Sequence, residues 1–91
     1  NIKYMSEKTD VITQPVALTN AITKATPEQV DTLWSILKYK EIGIYRKIKC
    51  MSSVLGLNFD KVVTDLPKDE TGRILDHKTR HLIHDILIQN S

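Results

Sequence analysis

The sequence of 91 residues is poor in cysteine, glycine and aromatic residues, and it has no long hydrophobic run. Its single cysteine, Cys50, excludes an intramolecular disulfide and fits a reducing, cytoplasmic setting. The three glycines are too dispersed to form a glycine-rich phosphate-binding loop. No apolar run approaches the roughly 18 residues of a membrane-spanning helix, so we expect no membrane partner. Aromatic residues make up 5% of the chain, which limits the stacking of nucleic-acid bases.

The remaining composition is typical of a small folded domain, with 41% hydrophobic and 26% charged residues. We expect an all-α fold in residues 26–91, a small bundle of three longer helices and one short helix. Residues 1–25 show no sustained apolar period and contain several threonines and Pro15, so we interpret them as a flexible linker. The first residue is Asn1 rather than Met, which suggests a piece of a longer or processed protein.

The first long helix is predicted to begin after Thr26. Thr26 is a favourable N-cap, Pro27 suits the first helical position, and Gln29 completes a capping box. Apolar residues then recur at intervals of three and four along one face: Val30, Leu33, Trp34 and Leu37. We expect Trp34 to be a core anchor.

The second long helix is predicted between Gly43, which breaks the preceding helix, and Gly56, a left-handed cap. Its apolar face is defined by helical spacing and comprises Ile44, Ile48, Met51 and Leu55. The opposite face carries Arg46 and Lys49, and Lys47 lies on the flank. The helix is therefore predicted to bury one side and to expose a basic side.

Two further helices follow. Asn58 is predicted to cap a short helix that ends near Asp65, and a turn at Thr71 and Gly72 precedes the last helix. Asp76 is predicted to cap that last helix, which has the apolar face Leu82, Ile83, Ile86 and Leu87.

Three histidines, His77, His81 and His84, fall on the side of the last helix opposite its apolar face. Two histidines at positions i and i+4 can ligate zinc, but no fourth ligand stands at a suitable spacing. We therefore favour a row of solvated, pH-sensitive histidines over a metal site. We assign no metal and no cofactor.

No pattern of reactive side chains indicates catalysis. Cys50 has no base and no orienting third group at a recognisable spacing. Asp69 and Glu70 lie in a predicted loop without a partner acid. We therefore expect that the chain is not an enzyme and has no small-molecule substrate.

Positive charge is concentrated in residues 24–54, which predicts a surface for an anionic partner. The predicted partner-binding residues are Ile36, Lys38, Tyr39, Lys40, Arg46, Lys47 and Lys49. Ile36 and Tyr39 fall off the apolar stripe, so they would anchor an apolar group while the lysines receive an acidic protein tail. Two alternatives stay open. The same face would bind DNA phosphates without sequence preference, or Ile36, Tyr39 and Ile88 would form a self-contact in an oligomer.

Four features of the sequence carry a resemblance to a known family. A threonine-rich stretch is followed by an opening helix, ATPEQVDTLWSIL, and then by a leucine–glycine–leucine element with a short helix, LGLNFDKVV. In the closing segment, ILDHKTRHLIHDIL, the family's characteristic places are occupied by Leu75, Asp76, Leu82 and Ile83. From Ala25 onward the chain resembles the C-terminal helical domains of phage single-strand annealing proteins of the Redβ/RecT kind.

This resemblance implies a helical accessory module in DNA recombination or replication. The implied partners are a partner nuclease and the acidic tail of the host single-stranded-DNA-binding protein. Such partners are similar to the acidic protein that the basic surface predicts independently. Single-stranded DNA is a further candidate partner.

Overall fold

The computed structural model describes residues 15–91, which form five α-helices joined by short connections. In chain order the helices are α1 (Val16–Thr23), α2 (Pro27–Lys38), α3 (Ile44–Leu55), α4 (Phe59–Thr64) and α5 (Asp76–Gln89). The predicted all-α class is confirmed. Among these helices, none is long and apolar enough to cross a membrane.

Helix α1 corrects the predicted boundary between linker and bundle. Leu18 and Ile22 are almost completely buried, and α1 contacts α3, α4 and α5. The helical domain therefore includes residues 16–23 and does not begin at residue 26. The remainder of the predicted linker, residues 1–14, lies outside the described residues.

The threonine hydroxyl groups of α1 are hydrogen-bonded within the helix. Thr19 Oγ1 donates a hydrogen bond to the carbonyl of Pro15 at 2.8 Å, and Thr23 Oγ1 donates to the carbonyl of Thr19 at 2.8 Å. Their hydroxyl groups are thus satisfied within the helix instead of competing with it. Burial of two large aliphatic side chains then stabilises a segment whose local propensity is weak.

The ends of α2 and α3 follow the predicted capping signals. Thr26 Oγ1 accepts a hydrogen bond from the Gln29 amide at 3.1 Å, and Gln29 Oε1 accepts from the Thr26 amide at 2.9 Å. Gln29 Nε2 also donates to the carbonyl of Val54 at 3.2 Å, which ties the start of α2 to the end of α3. Gly56 ends α3 in the left-handed conformation, with a φ of 71°.

The predicted inner face of α3 is confirmed. Ile44, Ile48 and Met51 are buried, and Leu55 is partly buried against the same core. All five described helices contribute to this core, whose buried hydrophobic members are Leu18, Ile22, Val30, Leu33, Ile44, Ile48, Met51, Val62, Leu66, Ile83, Ile86 and Leu87.

The last two helices confirm one predicted cap and correct the other. Asn58 Oδ1 accepts from the Lys61 amide at 3.2 Å and so caps α4. Asp76 does not cap α5, because it is the first residue of the helix and Leu75 occupies the N-cap position. The Asp76 carboxylate instead pairs with Arg80 one turn further on, with a distance of 2.7 Å between Arg80 Nε and Asp76 Oδ1.

Candidate binding groove between α2 and α5

A groove separates the C-terminal half of α2 from the exposed side of α5, and it is hereafter the α2–α5 groove. Its volume is about 370 Å³, and it is lined by Trp34, Leu37, Lys38, His77, Arg80, His81 and His84. Trp34 and Leu37 supply apolar surface, while the other side chains present nitrogen atoms. No carboxylate is among these lining residues. An apolar group that carries negative charge nearby is therefore complementary to the groove.

Trp34 is held in place by contacts from three directions. Its ring meets the His84 ring edge-on, with 5.3 Å between centroids, and Lys38 Nζ lies 5.5 Å from the indole centroid. Its Nε1 donates to Ser91 Oγ at 3.1 Å, and Ser91 Oγ in turn donates to the carbonyl of Leu87 at 2.6 Å. Trp34 packs against the core as predicted but is only partly buried. The remaining ring surface is available to the groove.

Arg80 lies at the edge of the groove, and Asp76 orients it. Besides the 2.7 Å contact through Nε, one terminal nitrogen of Arg80 donates to Asp76 Oδ2 at 3.3 Å. Both side chains are about half exposed. A guanidinium group has five N–H donors, so this pair leaves donors for an anionic ligand.

A wider depression continues the groove toward the connection between α2 and α3. It encloses about 650 Å³ and shares Leu37, Lys38 and Arg80 with the groove. It adds Tyr39, Lys40, Ile42 and Lys47 to the lining. The depression is therefore lined by four of the predicted partner-binding residues: Lys38, Tyr39, Lys40 and Lys47. Of these, Tyr39 is 53% exposed.

Lys47 does not belong to the exposed basic surface as predicted, because it is only 2% exposed. Its ammonium group donates to the carbonyls of Ile36 at 3.0 Å and Leu37 at 2.6 Å, and also to the carbonyl of Tyr39. These carbonyls stand at the end of α2, where a helix leaves acceptors without intrahelical partners. Lys47 is therefore a helix cap supplied by a neighbouring helix rather than a partner-binding residue.

The electrostatics of Lys47 reflect this position. Burial lowers the pKa of Lys47 from its ordinary value of 10.5, the positive charge of Arg80 lowers the pKa further, and Asp76 raises it. Three carbonyl acceptors match the three donors of an ammonium group. The hydrogen bonds thus compensate part of the cost of burying the charge.

Arg46 and Lys49 are exposed, as predicted, but neither lines the α2–α5 groove. Lys49 Nζ lies 5.9 Å from the Tyr45 ring centroid and 5.7 Å from the Phe59 centroid. At helical pitch Lys49 lies about 160° around α3 from Lys47, so it faces away from α2. The predicted basic surface is therefore divided between the groove and an outer α3–α4 surface, defined by Tyr45, Arg46, Lys49 and Phe59.

The prediction that Ile36 is an exposed anchor is also wrong, since Ile36 is partly buried and packs against the core. Helices α2 and α3 pack along each other, which covers the flank of α2 that the apolar stripe left open. Of the residues predicted for a self-contact, Tyr39 and Ile88 are exposed and Ile36 is not. The predicted self-contact thus lacks one of its anchors.

All three histidines are exposed on α5, as the predicted stripe requires. The packing of α2 beside α5 also places them along one groove, which the sequence did not indicate. His84 Nδ1 lies 3.8 Å from Asp85 Oδ1. In the part of the chain that the structure describes, no group of three histidine, cysteine or acidic side chains is placed to hold a metal ion.

Trp34, Leu37 and Arg80 line the groove but are not among the predicted partner-binding residues. Each has a signal in the sequence, as a stripe residue or as an i, i+4 partner of Asp76. Their convergence, however, depends on which helix packs beside which.

Comparisons with protein-family models, with curated proteins and with solved structures found no match for this chain. The resemblance to the phage annealing domains stays a prediction. Function is therefore inferred from the surfaces of the bundle.

Proposed function

We propose that the bundle is a non-enzymatic protein-interaction module that binds an acidic segment of a partner protein in the α2–α5 groove. The observation that carries this proposal is the lining of the groove. Trp34 and Leu37 form an apolar floor, and the charged residues of the lining, Lys38 and Arg80, are both basic. Aromatic and arginine side chains of this kind commonly supply most of the binding energy at protein interfaces.

The groove favours a segment in which an apolar side chain stands next to carboxylates. The apolar side chain would cover the exposed surface of Trp34 and Leu37, while Lys38 and Arg80 receive the carboxylates. Lys40 lies in the adjoining depression and would contact a further acidic residue. A chain terminus that is acidic and ends in an aromatic residue satisfies these requirements.

The setting that we propose is DNA recombination or replication. Its support is the resemblance of the segments from Ala25 onward to phage single-strand annealing proteins, whose helical domains have acidic partners. The partner would then be the acidic tail of a single-stranded-DNA-binding protein or a partner nuclease.

Titration with an acidic peptide that ends in phenylalanine tests the groove. Trp34 is the one tryptophan of the sequence, so its fluorescence reports on the groove itself. We expect the double variant Lys38→Gln and Arg80→Gln to weaken binding by about two- to thirtyfold, since each exposed charge pair contributes about 0.2 to 1 kcal/mol.

The matched control is the double variant Arg46→Gln and Lys49→Gln, which removes the same charge from the outer α3–α4 surface. It should leave the dissociation constant within about twofold of the wild type, because distant exposed charges are screened. Equal losses in the two double variants, or no loss in the groove variant, would reject the groove as the site.

A second candidate function, nonspecific binding of single-stranded DNA, is supported by the outer α3–α4 surface. Tyr45 is 55% exposed, and its ring packs edge-on against Phe59 with 5.1 Å between centroids. Lys49 lies beside both rings, and basic groups next to aromatic rings are what single-strand binding uses. The affinity for an oligothymidylate should then fall steeply between about 50 and about 200 mM salt. A flat salt response would reject this candidate.

A further inference from the structure

We infer that His77, His81 and His84 make the α2–α5 groove a pH-responsive site, which binds an acidic peptide more tightly as the pH falls from neutral to mildly acidic. This inference rests on the proposed function, because it concerns the same groove and the same class of ligand. It adds a regulation of affinity that neither the basic residues nor the apolar floor would provide.

The three histidines are placed to act together. Their spacing of four and three residues stacks them along one side of α5, and all three line the groove. Each is exposed, so each can accept a proton without the cost of burying a charge. Histidine is the side chain that ordinarily changes charge between about pH 5 and about pH 8.

The charged groups that α2, α3 and their connection place around the groove are basic, so they do not cancel positive charge on the histidines. Helix α2 contributes Lys38, the α2–α3 connection contributes Lys40, and α3 contributes the buried Lys47. Helix α1, with the sequence VALTNAIT, has no charged side chain. Positive charge thus surrounds the groove on the sides formed by α2 and α3.

The acidic groups near the histidines belong to α5 itself. Asp76 forms an ion pair with Arg80, and Asp85 Oδ1 lies 3.8 Å from His84 Nδ1. The His84 ring lines the groove from beside this carboxylate. His77 and His81 have no ion pair of this kind among residues 15–91, so their protonation adds positive charge to the groove directly.

The ligand keeps its charge over the same interval of pH. Aspartate and glutamate in peptides have pKa values of about 3.9 and about 4.3, so they remain largely ionised at about pH 5.5. An exposed ion pair strengthens binding by a factor of about 1.5 to 5. With as many as three protonated imidazoles beside the ligand, we expect affinity to increase about tenfold between about pH 7.5 and about pH 5.5.

The experiment measures the dissociation constant of the acidic, phenylalanine-ended peptide by calorimetry at about pH 7.5 and about pH 5.5. The test protein is the triple variant His77→Gln, His81→Gln and His84→Gln, whose side chains stay polar but cannot be charged. We expect the wild type to bind about tenfold more tightly at the lower pH. The triple variant should lose the increase, so that its own affinities at the two pH values are alike.

Proton uptake provides an independent readout. If protonation of the histidines favours binding, binding must by linkage favour their protonation. The wild type should therefore take up protons on binding at about pH 6.5, which appears as a dependence of the binding heat on the ionisation enthalpy of the buffer. The triple variant should take up none. Thermal unfolding at both pH values checks that the substitutions leave the bundle folded.

The possible outcomes separate the two proposals. Binding at the higher pH without any increase at the lower pH overturns this inference and leaves the proposed function standing. An undiminished increase in the triple variant also overturns it, because some other group would then be responsible. No binding at either pH overturns both. A peptide with asparagine and glutamine in place of its acidic residues should show no increase in the wild type.

Discussion

Lys47 and Lys49 lie two residues apart on α3, and the bundle uses them in opposite ways. Lys47 points toward α2, is 2% exposed, and donates to three backbone carbonyls at the end of that helix. Lys49 points toward α4, is exposed, and lies near the rings of Tyr45 and Phe59. The first lysine completes the fold, and the second belongs to a surface.

This difference shows that the neighbouring helix, and not the charge, decides what a basic residue does. The end of α2 presents carbonyl acceptors and negative partial charge, which attract an ammonium group. The side of α3 next to α4 presents aromatic rings and solvent, which leave the ammonium group accessible.

Removal of the two ammonium groups should have very different effects on stability. Lys47→Met keeps an unbranched apolar stem but removes the hydrogen bonds that Lys47 donates to the carbonyls of Ile36, Leu37 and Tyr39. We expect it to lower the free energy of unfolding by about 2 to 3 kcal/mol, measured by urea denaturation. Lys49→Met should change it by no more than about 0.5 kcal/mol. Similar losses in the two variants would contradict the comparison.

Asp76 extends the comparison to a charge that is exposed and paired. Asp76→Asn removes the ion pair with Arg80, which should lower the free energy of unfolding by about 0.5 kcal/mol. The same change releases Arg80 and removes a carboxylate from the edge of the groove. Affinity for the acidic peptide should therefore rise by about two- to fivefold, as measured by Trp34 fluorescence. A loss of affinity would contradict this prediction, because the orientation of Arg80 by Asp76 would then matter more for binding than the negative charge of Asp76.

Asp69 shows that an exposed charge can also organise the backbone. Its Oδ1 atom accepts from Thr71 Oγ1 at 2.7 Å, from the Thr71 amide at 2.8 Å and from the Arg73 amide at 3.0 Å. The Thr71 side-chain hydrogen bond, followed by the Arg73 amide, holds the pKa of Asp69 below its ordinary value of 3.8. The loop before α5 is thereby stabilised in the ionised state.

The lowered pKa gives this contribution a definite pH dependence. Because the folded protein binds the proton less tightly than the unfolded chain, the stabilisation is fully present above the ordinary value of 3.8. It is lost as the pH falls through the lower pKa of the folded state. The stability difference between the wild type and Asp69→Asn should therefore shrink over that acidic interval. A difference that stays constant there would contradict the assignment.

The sequence is a good guide where a local signal decides the structure. The capping box of Thr26 and Gln29, the left-handed Gly56 and the Asn58 cap are each fixed by residues within a few positions of one another. The buried face of α3 follows from its helical spacing, which three buried aliphatic and thioether side chains confirm.

The sequence is a poor guide where tertiary packing decides. Helix α1 lacks a charged face to contrast with Leu18 and Ile22, so its burial depends on a surface that other helices supply. Lys47 lies on the flank of α3, and only the position of the α2 carbonyls makes it a cap. The groove likewise requires α2 and α5 to be neighbours.

Nuclear magnetic resonance can locate the surface of the bundle on which the acidic, phenylalanine-ended peptide binds. We expect the indole N–H signal of Trp34 and the amide signals of Lys38 and Arg80 to shift on titration, while those of Tyr45, Lys49 and Phe59 stay in place. Shifts confined to the outer α3–α4 surface, or no shifts at saturating peptide, would contradict the assignment of the α2–α5 groove as the binding site.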